Sequence, residues 1–558
     1  MRFLLALLLF TLLPGPGTAQ NFGNIKPNTV IGNPDPSASK PAKPRAFDFF
    51  SPMDFGAKGD GVTDDTAAMQ AAITAASSGT LVLGPRLYAI AGPLASQGTI
   101  HIVGAFSGGG QTGWSTGGSY GTCQTGLRQK TANITLLTLY GNGSVLKDVC
   151  FDAPGVNNTS GAAVQVINFN ATTPAHNILI EGNQFNGFCN SVDATAVATG
   201  GAQIVGTHIV RNSFQPVNNT GCHAIWIGRL SPGGKTTDTH ILENSIFCPF
   251  DGAANQSVAN VDGVYLTDSG GSNIRGNDIV ACLHGTYLFP GANQAVNGFF
   301  FNSTIPGDSS KVNDLLIDTA AATGTVAQGK IVGSWMASAL ATSVVVQNTG
   351  GGTVRGIHFV GDTFYPRQNV NGVDVLAGDD ITFTGGAACA MNVSSGTMLN
   401  IVTAGSVGIH DMVIGACDST VAGYTIQKGI SYHPATAGKI SITGNQIYGT
   451  DAFSPVLQYA PGVPPTSAVI ANNVGVDDIA TITVASAATI NIPVNPSFTI
   501  TGNAAISTIN GGWPGRCVNI VPAGAWTTVT GGNINPAVVA VTGVMKQACF
   551  SGTTWYFQ

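Results

Sequence analysis

One short pattern returns along the chain and limits what it can fold into. NILIEGNQF (177–185), HIVRNSF (208–214), HILENSIF (240–247), NIRGNDI (273–279), KISITGNQI (439–447) and AVIANNV (468–474) each alternate apolar with polar residues, then set an asparagine, then another apolar residue. Alternation with period two marks a strand with one buried face. A strand unit repeated at roughly thirty residues buries that face by stacking on its next copy, which predicts coils with a variable loop in each. Stacking places Asn183, Asn212, Asn244, Asn277, Asn445 and Asn473 above one another, where side-chain amides can bond along a ladder. A β-sandwich with asparagine turns is the competing arrangement.

Composition agrees with many strands and turns. Of 558 residues 74 are glycine, 44% are hydrophobic and only 9% are charged. The net charge of −6 comes with no basic stripe, which argues against nucleic acid as a partner. Met1-Arg2, the apolar run Phe3 to Leu13 and the small residues Gly17-Thr18-Ala19 read as a signal peptide over 1–19. The run is too short to span a bilayer and no later segment looks transmembrane. The expectation is an exported protein, extracellular or periplasmic, with no membrane association. Residues 20–47 are rich in Pro, Asn and Ser and read as an extended or disordered linker. Export permits disulfides among the ten cysteines. Cys517–Cys549 and Cys389–Cys417 are the expected pairs, and the other six allow fifteen connectivities.

The stretch DFGAKGDGVTDDTAAMQAAI (54–73) crowds Asp54, Asp60, Asp64 and Asp65 ahead of an alanine-rich run. The spacing does not fit a calcium loop of the EF-hand type and lacks its distal Glu. A helix start fits better, with Thr63 or Asp64 accepting from free N–H groups and strong helix formers over Thr66 to Ala76. With GTLVLGPRLYAI (79–90) after it, this stretch resembles the opening of the pectate-lyase-like superfamily, which includes rhamnogalacturonase/epimerase-like proteins, polysaccharide hydrolases and lyases, and phage tailspikes. The resemblance implies an all-β fold: a right-handed single-stranded parallel β-helix over 48–476, with an N-terminal helix capping the open coil. Residues 477–558 alternate tightly and resemble the small C-terminal β modules of phage-type β-helix proteins. Such a module would cap the coil, join a trimer or bind surface glycans, so monomer and trimer are both open.

A second column carries the chemistry. After the asparagine turns the chain enters DATAV (193–197), HAIWI (223–227), DGVYL (262–266) and HGTYL (284–288). Aligned on their first residues, Asp193, His223, Asp262 and His284 share one position in successive coils, about 4.8 Å apart. Two carboxyls two coils apart, with imidazoles able to hold either protonation state, suit glycosidic bond cleavage. Polar side chains that only bond nearby backbone are the competing reading. Three positions on stand Trp226, Tyr265 and Tyr287, candidate platforms for sugar rings, flanked by inward Ile225, Ile227, Val264 and Leu266. Asn260-Val261-Asp262-Gly263 and Leu283-His284-Gly285 resemble parts of the polygalacturonase signature, but its paired aspartates and Arg-x-Lys are missing. The expected function is a glycoside hydrolase acting on an extracellular polysaccharide or cell-surface glycan. The alternatives are a lyase acting on uronate-containing glycans, with Ca²⁺ or a Lys/Arg to offset the carboxylate, and a non-catalytic tailspike-like adhesin. No metal site and no other cofactor are expected.

Overall fold

A computed structural model describes residues 29–30, 45–46 and 49–558, less 97, 106–122, 169–174, 197–202, 230–233, 253, 255, 368, 390–393, 404, 416–425, 433–438, 449–456, 460–466, 474–482 and 494–496. The proposed signal peptide therefore lies outside the described residues. The main body is a right-handed parallel β-helix. A 13-stranded and a 14-stranded parallel sheet form two of its walls. The third is built from two parallel ladders that merge in the long strand Thr325–Val332. Apolar positions of each strand face one continuous core, in which Phe151, Phe185 and Phe214 stack at 5.0 Å.

The asparagine ladder forms as the repeats predict. The Asn183 amide and backbone N–H both donate to Asn212 Oδ1, at 3.0 and 2.9 Å. Asn212 does the same to Asn244, and Asn244 to Asn277. Asn445 and Asn473 form a second run. Between the runs, Thr304 accepts from Asn277 N–H and Asp362 accepts from Ser334 N–H. These side chains are buried, so each turn would carry unmet backbone groups without them.

Helix α1 (Thr66–Ala75) buries Met69, Ala72 and Ile73. Its start is as expected at Asp64, while the N-cap residue itself is Asp65. The Asp65 carboxylate accepts from Lys58 and Gly59 N–H instead. Asp64 accepts from Thr66 N–H at 3.0 Å. Gln70 bonds both ways with the backbone of Ala95, on the edge strand of the 13-stranded sheet.

The C-terminal segment has its own apolar core around Trp526, Trp555, Ile500 and Ile520. Parallel strands at Thr483–Ala485, Ser497–Thr501 and Cys517–Pro522 repeat the coil logic before an antiparallel hairpin closes it. The Cys517–Cys549 disulfide is present. Cys389 is disulfide-bonded, and its expected partner Cys417 lies outside the described residues. The remaining bridges are Cys123–Cys150, Cys189–Cys222 and Cys248–Cys282. Among the described residues no helix is long and apolar enough to cross a membrane.

Candidate active site

The site lies on the 13-stranded wall, across β1 (Asn190–Ala196), β2 (Cys222–Arg229), β3 (Val261–Leu266), β4 (His284–Leu288) and β5 (Asn313–Ile317). Register pairs Asn190 with His223, His223 with Asp262, and His284 with Asn313. Asp262 stands level with His284, two residues before the Val264–Thr286 pair. The first column is thus Asn190, His223, Asp262, His284, Asn313. A second column three residues on pairs Gln165, Asp193, Trp226, Tyr265, Tyr287 and Leu316.

This corrects the sequence alignment at one member. Asp193 does not share the His/Asp column; it stands in the aromatic column, opposite Trp226. β1 begins three residues earlier than DATAV suggests, so Asn190 occupies the expected aspartate's place. A signal for this was present. Cys189-Asn190 parallels Cys222-His223, and the disulfide joins those cysteines across a Cα distance of 4.6 Å.

Both columns share the outer wall because each strand places two residues inward in succession. In β2 these are Ala224 and Ile225, both fully buried. The first must be small. A Cβ on Gly263 would meet Gly285 O at 2.4 Å, and one on Gly285 would meet Pro306 O at 2.3 Å. The glycine that follows the His/Asp position in β3 and β4 is therefore dictated by the bend. The bend brings the His223 ring to 4.0 Å from Tyr265, stacked, and His284 to 4.8 Å from Tyr287. Tyr265 and Tyr287 lie 5.4 Å apart, with Trp226 6.0 Å beyond Tyr265.

Asp262 joins the two imidazoles. His223 Nδ1 lies 3.0 Å from its Oδ2, and His284 Nδ1 lies 2.8 Å from its Oδ1. Burial pushes the Asp262 carboxyl up, but the bonds from His223 and His284 outweigh it and hold the group below its ordinary range. An ionised carboxylate only accepts, so both rings place a proton on Nδ1 and turn Nε2 to any reaction. Asp193 is buried, with Gln165 Nε2 3.5 Å from its Oδ2 and no bond to Oδ1. Burial pushes it up to about 6. Burial likewise pushes Tyr265 up to about 12, and Tyr287 higher.

One residue escaped the sequence reading. Lys311 donates its backbone N–H to Cys282 O, and its ammonium donates to Asn260 Oδ1 at 2.8 Å. Asn260 stands two residues before Asp262, and Lys311 two before Asn313. Among the described residues no ion pair includes Lys311. The wall therefore keeps a half-buried ammonium, two residues before its first column, that makes no ion pair among the described residues. No strand pattern marks it, because it sits in a turn. Two other aspartates of these coils are engaged elsewhere: Asp268 pairs with Arg229 at 2.9 Å, and Asp251 accepts from Ala254 N–H. Among the described residues no three His, Cys, Asp or Glu side chains gather to hold a metal ion.

Residues 49–248 match the family described as rhamnogalacturonase A/epimerase, pectate lyase-like. The chain is 40% identical over 111 residues to mannuronan C5-epimerase AlgE1 of Azotobacter vinelandii, a match covering 17% of this chain and 8% of that protein. The A-module of mannuronan C-5 epimerase AlgE6 from the same organism is similar at 14% identity and a TM-score of 0.33, over 76% of this chain and 98% of that one. The Dettilon tailspike protein is similar at 14% identity and a TM-score of 0.36, over 74% and 69%. For the catalytic unit of the GH87 alpha-1,3-glucanase of Streptomyces thermodiastaticus strain HF3-3 the figures are 15%, 0.31, 74% and 70%. Residues 49–248 are thus similar to the pectate-lyase-like superfamily of parallel β-helix proteins.

Proposed function

We propose that this wall is the active site of an exported enzyme that moves protons on a uronate-containing polysaccharide, with His223 and His284 as the proton carriers. The observation that carries the reading is the His223–Asp262–His284 bridge. Both Asp262 oxygens are occupied, which leaves that carboxylate poorly placed to attack carbon or activate water. It orients two rings instead, so one imidazole can accept a proton while an imidazolium donates one. The neutral ring takes the proton from the carbon beside the sugar carboxylate, and the electron pair moves into that carboxylate as an enolate. Lys311 lies at the column's edge to offset the added charge. The enolate then collapses in one of two ways. Either the bond to the neighbouring glycosidic oxygen breaks, with the imidazolium protonating that oxygen, or the proton returns to the same carbon from the other face. The first outcome is a lyase, the second an epimerase. The 111-residue similarity to a mannuronan C5-epimerase supports a uronate substrate. Trp226, Tyr265 and Tyr287 offer ring faces for the sugar chain, laid along the coil axis.

Calcium, which a lyase reading can bring with it, needs several oxygens at one place. Asp262 has both oxygens bonded and Asp193 stands on the other column, so these residues do not fit it and no step here runs through it. Hydrolysis is the second reading. It rests on the contrast between Asp193, pushed up to about 6, and Asp262, held low, since such pairs divide acid and base roles.

The test is a panel of uronate and neutral polysaccharides, read by unsaturated-product absorbance, new reducing ends and inversion at the uronate carbon. Unsaturation or inversion that disappears in His223→Gln and His284→Gln supports proton transfer. Reducing ends without unsaturation, lost in Asp193→Asn, give the hydrolase. Binding with no turnover of any kind gives the adhesin and refutes the enzyme.

A further inference from the structure

Both outer columns continue along the wall through β6 (Val344–Val346), β7 (Val373–Val375) and β8 (Ser394–Ile401). The aromatic column passes from Tyr287 through Leu316 and Val345 to Asp374 and Asn400. Leu316 and Val345 are apolar and buried. At Asp374 the wall turns polar again. Asp374 Oδ2 accepts from Thr342 Oγ1 at 2.7 Å, and Oδ1 accepts from the amides of Asn371 and Asn400, both at 2.8 Å. By register Thr342 and Asn371 continue the column of His284 and Asn313. The outer faces of the two columns meet here in a second polar cluster, three coils or about 14 Å beyond Tyr287.

We propose that Asp374, Asn371 and Asn400 form a distal sugar-binding subsite for the polysaccharide that the imidazole site takes; the inference rests on that reading. Asp374, Asn371 and Asn400 are half-buried, so the cluster reaches the surface while its bonds fix its rotamers. Asn371 gives one N–H to Asp374 and its oxygen to Thr397 N–H, which leaves its second N–H for a ligand. Amides fixed in advance lose little entropy on meeting sugar hydroxyls. The cluster carries no cation, so its selectivity is for hydroxyls rather than for the carboxylate. One sugar ring cannot touch both clusters, whereas a chain lying along the axis touches both. The subsite therefore sets the shortest substrate that gains full affinity.

The experiment is a length series of oligosaccharides of the polysaccharide turned over, with Asp374→Ala and, should that protein misfold, Asn400→Ala. The expected result is about a tenfold rise in KM on long chains, about 1.4 kcal/mol of lost binding. Values for the shortest substrate that reacts should not change. Equal losses on long and short substrates, or no loss on either, overturn the subsite. If no polysaccharide is turned over, retention of the polymer in affinity gels takes the place of KM. Weaker retention of Asp374→Ala then upholds the subsite while the enzyme reading fails, and unchanged retention sinks the subsite too.

Discussion

Asp362 occupies the ladder position that asparagine fills in other coils, and replacing it with asparagine gives a test with a definite sign. Its carboxylate accepts from Ser334 N–H at 2.7 Å and Val360 N–H at 2.9 Å. It is only 1% exposed. Burial outweighs those two bonds and pushes the group from 3.8 up to about 7. A folded-state value above the unfolded one means that the native protein binds the proton more tightly. The stability this gives is complete below about pH 4 and is lost as pH rises to about 7. Raising a carboxyl from 3.8 to about 7 corresponds to about 4 kcal/mol, at about 1.4 kcal/mol per pH unit. For a body of several hundred residues that is on the order of 4 °C in Tm.

Asp362→Asn removes the titration. The new amide loses the acceptor now serving Val360 N–H, a pH-independent cost of about 1 kcal/mol. The two proteins should therefore differ little, or favour wild type, at pH 4. By pH 8 the variant should be the more stable by a few degrees. Scanning calorimetry of both proteins from pH 4 to 8 reads the difference directly, because all other carboxyls titrate in both. Parallel Tm curves would mean that Asp362 is ionised in the fold at no cost, and the reasoning from burial would be wrong.

Other substitutions test the wall. Gly263→Ala places a methyl group 2.4 Å from Gly285 O and should cost about 1–3 kcal/mol in thermal unfolding, with loss of turnover from a displaced Asp262. Removing the Cys189–Cys222 bridge, which closes a separation of 33 residues, should cost about 3–4 kcal/mol, measured by denaturant unfolding of the double Ser variant. Asp193→Asn should raise Tm above pH 6 but not below pH 4, because burial holds that carboxyl at about 6 and the stability linked to its proton is lost over that interval. His223→Gln and His284→Gln should each lower kcat by about 10²–10⁴-fold, as expected for a lost acid or base, while polymer binding persists.

The coil was legible because its signals are local and repeated. The asparagines, alternating strands and DFGAKGDGVTDD opening all report on one coil at a time. The aromatic column and the His223, Asp262 and His284 column were legible for the same reason: in β2, β3 and β4 a small residue follows the first column, then Ile225, Val264 or Thr286, and then an aromatic one. Asp193 was misplaced because strand length is not a local signal; the parallel of Cys189-Asn190 with Cys222-His223 is the one sequence mark of where β1 begins. Lys311 was missed because its neighbour Asn260 is 51 residues away. The tightening of register by Cys189–Cys222 was not legible either, since six cysteines allowed many pairings.

The ladder and the site depend on the same property. Adjacent coils rise about 4.8 Å, so the strands bearing His223 and His284 stand about 9.6 Å apart. Only a carboxylate on the strand between them can reach both Nδ1 atoms, and Asp262 holds that place. A slip of one residue in β3 would turn Asp262 inward and Val261 outward, because neighbouring side chains face opposite sides. What prevents the slip is distributed through the coil: the Asn212–Asn244–Asn277 run fixes one corner, the Cys189–Cys222 and Cys248–Cys282 bridges fix another, and the clash awaiting any side chain at Gly263 fixes the bend. Replacing Asn244 with Leu should therefore do more than remove ladder bonds. It should loosen the coil pair that carries Asp262, and turnover should fall further than the loss of Tm alone explains.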